Sequence, residues 1–156
     1  MHKPGPRHWL SRWFRYTAMN GSPLVMTKKG PRLVRRQCES LHRWTIMKWP
    51  FRAYLHCWVG EDWSKDLHDH SGWMVSVGLT GWYDETTETG SRRYTAPWIR
   101  AFPATHRHRI ATVRVPTWTL CLMPTLQRVS SFYVDGQRFN TQQYQVSEWA
   151  QTHRAC

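Results

Sequence analysis

The chain has 156 residues, 40% of them hydrophobic and eleven of them tryptophan, enough for one domain with a single buried core. Its 22 Lys/Arg against 10 Asp/Glu give a formal charge of +12. No apolar run approaches the ~20 residues of a membrane-spanning helix, which excludes a helical transmembrane protein.

Residues 1–52 carry twelve Lys/Arg and one acid, Glu39, while the rest of the chain is nearly neutral. Residues 1–40 read as a basic, aromatic extension broken by Pro4, Pro6, Gly21, Pro23 and Gly30-Pro31. One short helix is expected over His8–Ala18, with Trp9, Trp13 and Tyr16 on one stripe, and loop or added edge strand elsewhere. Within the extension, Arg7, Arg12 and Arg15 alternate with Trp9, Trp13 and Tyr16, and Arg35 and Arg36 add basic charge further on. That mixture suits phosphate pairing and base stacking, so nucleic acid or an acidic assembly is the expected partner of the arm.

From Leu41 the texture changes to short β-rich runs separated by turn residues, the pattern of an all-β barrel or sandwich over residues 41–156. The expected strands are His42–Met47, Ala53–Val59, Trp73–Leu79, Trp82–Glu85, Trp98–Phe102, Ile110–Val115, Trp118–Met123 and Val129–Val134. Thr89-Gly90-Ser91 reads as the start of a longer loop. Asp135-Gly136 signals a hairpin with Arg138–Tyr144 as its return strand. A last short helix is expected over Val146–His153. The four cysteines, Cys38, Cys57, Cys121 and Cys156, form no CxxC pair. This argues against a zinc ribbon and for reduced thiols in a cytosol-like compartment.

Nine histidines are present, and four of them fall into two pairs, His68-Asp69-His70 and His106-Arg107-His108. On a strand, residues i and i+2 share a face, so both imidazoles of a pair reach one interior. Two nitrogens from one strand and one from a neighbour occupy one face of a metal ion and leave open positions for water, substrate or dioxygen. The competing reading is that His68 and His70 hold a turn through Asp66 and Asp69, with no metal.

These residues resemble the cupin superfamily. After His68-Asp69-His70 the spacing to Gly81 matches the first cupin motif, with Met74 where the family often has glutamate. Pro103, Thr105 and His108 match the spacing of the second motif, with threonine for glycine. Further segments, among them Leu79–Glu85, His108-Arg109-Ile110 and Pro116–Leu122, resemble a small uncharacterised cupin group of bacteria and their phages.

The resemblance implies a cupin-type jelly-roll barrel, a double-stranded β-helix. It further implies a divalent metal on His68, His70 and His108, with His106 as the alternative ligand. Three imidazoles without a carboxylate suit Fe(II) first, then Zn, Ni or Mn. Tyr83 and Glu85 share a face and are candidates for catalytic roles, as fourth ligand or general base. Trp118, Arg100 and Arg109 are candidates for contacting a small anionic substrate.

The function implied is a mononuclear, dioxygenase-like metal enzyme of the cytoplasm, homodimeric through N-terminal strands. The alternative is a non-catalytic barrel whose basic arm serves a nucleic-acid-binding or phage structural role, with the virion as its location. Of the thiols, Cys121 reads as a small buried hydrophobe. Cys57 and His56 point to opposite faces, which disfavours a Cys57 nucleophile with His56 as its base.

Overall fold

The computed structural model describes residues 15–20, 24–27, 30–33, 39–125 and 128–147. The strands in chain order are β1 (Arg15–Asn20), β2 (Leu24–Thr27), β3 (Gly30–Leu33), β4 (Glu39–Met47), β5 (Phe51–Trp58), β6 (Leu67–His68) and β7 (Met74–Thr80). They continue with β8 (Trp82–Thr87), β9 (Gly90–Thr95), β10 (Trp98–Phe102), β11 (His108–Val113), β12 (Thr117–Pro124), β13 (Ser131–Val134) and β14 (Gln137–Asn140). One short helix, α1 (Thr141–Val146), follows.

Two six-stranded sheets form, β1-β4-β5-β12-β7-β10 and β14-β13-β6-β11-β8-β9, beside a separate β2-β3 hairpin. The pairings within them are antiparallel, and neighbours far apart in sequence lie side by side, as in a jelly roll. The hairpin expected at Asp135-Gly136 joins β13 to β14, and both residues adopt the positive φ (47° and 80°) of its tight turn.

Three local expectations are corrected. The helix over His8–Ala18 does not form at its described end: Arg15–Ala18 pair with β4 in β1, Arg15 facing Thr45. A lone short helix is marginal in water, whereas the open edge of β4 offers a ladder for every backbone group. The loop at Thr89-Gly90-Ser91 is a tight hairpin, with Thr87 facing Gly90 across β8 and β9. The return strand over Arg138–Tyr144 stops at Asn140, where a capping box starts α1. There Asn140 Oδ1 accepts from the Gln143 backbone (2.8 Å) and Gln143 Oε1 accepts from the Asn140 backbone (3.1 Å). Most of the helix expected over Val146–His153, and Arg7, Arg12, Arg35 and Arg36 with the polyanion role assigned to them, lie outside the described residues.

Strand alternation sets what faces inward. Along β12, Thr117, Thr119, Cys121 and Met123 are buried and their neighbours are not. Tyr54, Met74, Phe102, Cys121 and Met123 form one apolar cluster. Phe132, Val134 and Tyr144, with Trp63 and Phe139 against them, form a second. Between these clusters the inner layer is polar: His56, Ser76, Glu85, His108 and Thr119 are all buried. Polar groups need partners or water when buried, and all of these but Glu85 line a cavity of about 440 Å³ between the sheets.

Candidate metal centre

The short strand β6 is held on both sides, His68 facing His108 of β11 and Phe132 of β13. The chain then leaves the sheet, so His70 belongs to a loop rather than to a strand. That loop is pinned by its backbone and by Asp69. His70 N–H donates to Ala104 O (3.0 Å) and Asp69 N–H to Ser131 O (2.9 Å). The buried Asp69 carboxylate accepts from Ser131 N (2.7 Å), Tyr133 Oη (2.8 Å) and Arg128 Nη2 (2.8 Å). Asp69 therefore holds the turn, and its two histidine neighbours are left to face the cavity.

His68, His70 and His108 converge, each offering a ring nitrogen within 4.8 Å of the others. Ring centroids are 5.5 Å apart for His68–His70, 5.1 Å for His68–His108 and 4.8 Å for His70–His108. The Nε2 atoms of His70 and His108 are 2.8 Å apart. Two nitrogens each about 2.1 Å from one ion at a right angle stand ~3 Å apart, so this pair already has ligand spacing. His106 sits in the turn before β11 rather than on the strand, and its Nε2 meets Glu85 Oε1 at 3.2 Å. Glu85, His106 and His108 form a second group of donors close enough for an ion. Its carboxylate, however, is fully engaged.

Glu85, buried on β8, organises this wall. Arg100 from β10 grips it with a fork, Nη1 to Oε1 at 3.1 Å and Nη2 to Oε2 at 2.7 Å. His108 Nδ1 also bonds to Oε1. An ionised carboxylate only accepts, so His108 carries its proton on Nδ1 and turns its Nε2 lone pair toward His68 and His70. Burial works to raise the Glu85 carboxyl, but hydrogen bonds from His108 and Arg100 outweigh it and hold it at about 2.

Burial lowers His68 to about 4, with Asp62 opposing, and burial with the neighbouring histidines pushes His70 well below its usual range. At neutral pH both imidazoles are therefore uncharged, the form that ligates a metal.

These shifts give the metal-free protein a pH signature. Between about 4 and 6.5 an unfolded chain binds a proton on His68 that the folded chain does not, so acid favours unfolding in that window. Stability should fall as pH drops from 6.5 toward 4, by about 3 kcal/mol at most from His68 alone. The depressed Glu85 carboxyl contributes stability above its usual 4.5 that is lost as pH falls toward 2. Denaturant midpoints against pH check this, and a flat profile from 6.5 to 4 would contradict it.

The other expected site residues are placed as follows. Tyr83 lines the cavity beside Glu85, its Oη accepting from Arg100 Nη1 at 3.2 Å, and burial raises its phenol while Arg100 opposes. Arg100 is committed to Glu85 and stacks on Tyr94 at 3.8 Å, so it holds the wall. Arg109 follows His108 on β11 and so projects from the opposite face. Trp118 lies on the outer face of β12, stacked on Trp44 at 5.5 Å, and is not among the cavity-lining residues. Met74, which stands where the resemblance implies an acid, is buried and lines the cavity.

Sequence reasoning missed one cluster on the same cavity. His56 Nδ1 lies 3.4 Å from Cys121 Sγ, and Arg43 Nε donates to His56 Nε2 at 2.9 Å. Cys57 does point away from His56, yet the thiol that meets His56 comes from the neighbouring strand β12. The alternation of Tyr54, His56 and Trp58 on β5 and of Thr119 and Cys121 on β12 is visible in the sequence. Which strand neighbours β5 is not.

No protein-family model matches the chain, and no curated protein matches it. Solved structures do. The polyketide cyclase RemF from Streptomyces resistomycificus aligns over 98% of this chain and 99% of its own, at 10% identity and a TM-score of 0.58. The DMSP lyase DddQ from Ruegeria pomeroyi DSS-3 aligns over 81% of this chain and 64% of its own, at 17% identity and a TM-score of 0.50. An RmlC-like cupin protein from Ralstonia eutropha JMP134 covers 67% of this chain and 69% of its own, at 13% identity and a TM-score of 0.47. At these identities the likeness is one of fold, and the fold is that of the cupins.

Proposed function

Starting from a cupin fold with three convergent histidines, we propose that the chain is a mononuclear metal-dependent enzyme acting on a small anionic molecule inside the barrel. The observation that carries this reading is the convergence of His68, His70 and His108, with His108 already oriented by Glu85. The same fold carries a polyketide cyclase and a DMSP lyase, so the fold does not choose a reaction class and the donor set must.

Three imidazole nitrogen donors with no carboxylate fit a borderline divalent ion, and Fe(II) in a dioxygenase-like role is our leading assignment ahead of Zn, Ni or Mn. When bound, such an ion supplies Lewis acidity and open coordination positions. The chain's own residues do the rest. Glu85 keeps the proton of His108 on Nδ1. Asp69 fixes the loop that presents His70. Phe102 packs its ring 5.2 Å from His70 and 5.8 Å from His108, limiting water at the face. Tyr83 presents a phenol at the cavity wall, where a raised pKa keeps it a proton donor.

Elemental analysis of the purified protein, followed by anaerobic titration with Fe(II), Zn, Ni and Mn, tests the proposal. The expected result is one ion per chain at micromolar affinity, with Fe(II) loading giving a protein that consumes dioxygen in the presence of its substrate. Failure of all four metals to bind stoichiometrically would end the metal reading. Binding of Zn with no response of the Fe(II) form to dioxygen across a panel of organic acids would move it to Lewis-acid chemistry.

A further inference from the structure

We propose that Arg43 is the anion anchor of the barrel cavity and binds the carboxylate of a small organic acid whose other end reaches the three histidines. This deepens the reading above by naming its substrate class and the residue that selects it. Arg43 projects from β4 opposite His56 of β5, lines the same cavity as His68, His70 and His108, and lies over the Tyr54 ring at 4.6 Å. Its Nε is committed to His56. Its two Nη nitrogens make no hydrogen bond or ion pair among the described residues.

Two other half-buried arginines of the described residues differ. Arg100 has the fork of Glu85, and Arg128 has Asp69. The acids that line the cavity beside Arg43 are occupied: Asp69 by Arg128, Tyr133 and Ser131, and Asp62 by the Ile110 N–H at 2.6 Å with His68 Nδ1 at 3.9 Å. A desolvated guanidinium is costly unless an anion meets it, and it stays charged at any ordinary pH. Burial lowers its pKa, the sign of a charge held without a carboxylate.

The hydrogen-bond network also rules out the obvious competing use of these residues. Because Arg43 donates to Nε2, neutral His56 carries its proton on Nδ1 and points it at Cys121 Sγ. His56 therefore has no lone pair to offer the thiol, and burial raises Cys121 further. The cluster is a braced arginine and not a thiol–imidazole nucleophile. The brace engages Nε and leaves the Nη edge for a carboxylate, which a guanidinium holds with two parallel bonds. Tyr54, Trp58, Phe102 and Phe132 line the cavity with aromatic surface, so an acid with an apolar or aromatic body fits its 440 Å³.

Calorimetric titration of the full chain with acetate, benzoate and phenylacetate, and with phenylacetamide as the uncharged analogue, tests the anchor. Phenylacetate should bind at least tenfold tighter than phenylacetamide. Arg43→Gln should remove that difference, while Arg43→Lys should retain part of it. The ligand-free Arg43→Gln protein should melt several degrees higher than wild type, because an uncompensated charge is gone. Equal binding of acid and amide by the wild type, absence of binding included, overturns the proposal. So does unchanged phenylacetate affinity in Arg43→Gln, or in Arg43→Lys should the glutamine variant fail to fold.

Metal content measured in the same samples separates the two readings. Arg43-dependent carboxylate binding in a protein that takes no metal leaves the anchor standing and ends the metal enzyme. Full metal loading with Arg43-independent binding does the reverse.

Discussion

Replacing His68 and His70 together by alanine should take bound metal from one ion per chain to a trace while the barrel stays folded. The two residues supply two of three ligands, and one remaining imidazole does not hold a divalent ion at protein concentrations used for analysis. The fold does not depend on them. The Tyr54–Met74–Phe102–Cys121–Met123 cluster and the Phe132–Val134–Tyr144 cluster pack without either ring. The pairing of β6 with β11 and β13 is made by backbone groups that alanine keeps. The cost is the ring contact of His68 with Phe132 at 5.6 Å and of His70 with Phe102 at 5.2 Å, worth about 1–3 kcal/mol for the cavities left. Against this, two desolvated imidazoles no longer resist protonation, so the variant should lose less stability than wild type between pH 6.5 and 4. Metal analysis with circular dichroism and denaturant melts across pH reads both effects. Insoluble double variant would show that the histidine cluster is a folding element instead.

The parts of this fold that were legible in the sequence share one property: a local signal agrees with the tertiary structure. Trp98–Phe102 is a strand with the expected bounds, and Asp135-Gly136 makes its hairpin because only a tight turn with positive φ at both residues uses that dipeptide so well. The spacing of His68 and His70 points to their convergence, although the expectation that both lie on one strand face holds only in part. β6 ends at His68, and Asp69 is what aims His70.

What stayed hidden depends on which strands become neighbours. Arg43 counted as one charge among twelve in the basic first third. Only the pairing of β4 with β5 and of β5 with β12 shows that it faces the cavity and braces on His56. Trp118 is a candidate substrate contact on the sequence alone, because nothing local to it fixes which face of its strand is inward. The phase of the alternation along β12, buried at Thr117, Thr119, Cys121 and Met123, puts it outside.

Glu85→Gln should weaken metal binding by roughly 10–100-fold and also destabilise the protein, and the two effects have separable causes. The carboxylate fixes the His108 tautomer, and outer partners of this kind tune ligand affinity by that range. The amide keeps an oxygen for one donor but loses the charge that makes His108 a strong ligand. The same change leaves Arg100, whose side chain is only 14% exposed, with no counterion. Breaking one partner of a buried pair costs about 3–5 kcal/mol, less here in proportion to the solvent that Arg100 reaches. Arg100→Met in the Glu85→Gln background removes the stranded charge. It should recover most of the stability and none of the metal affinity, since His108 still lacks an ionised acceptor. A denaturant melt and a metal titration on the two variants and on Arg100→Met alone complete the cycle. If the double variant binds metal as wild type does, Glu85 serves only as the counterion of Arg100, and the orientation of His108 must come from the β6–β11 pairing alone.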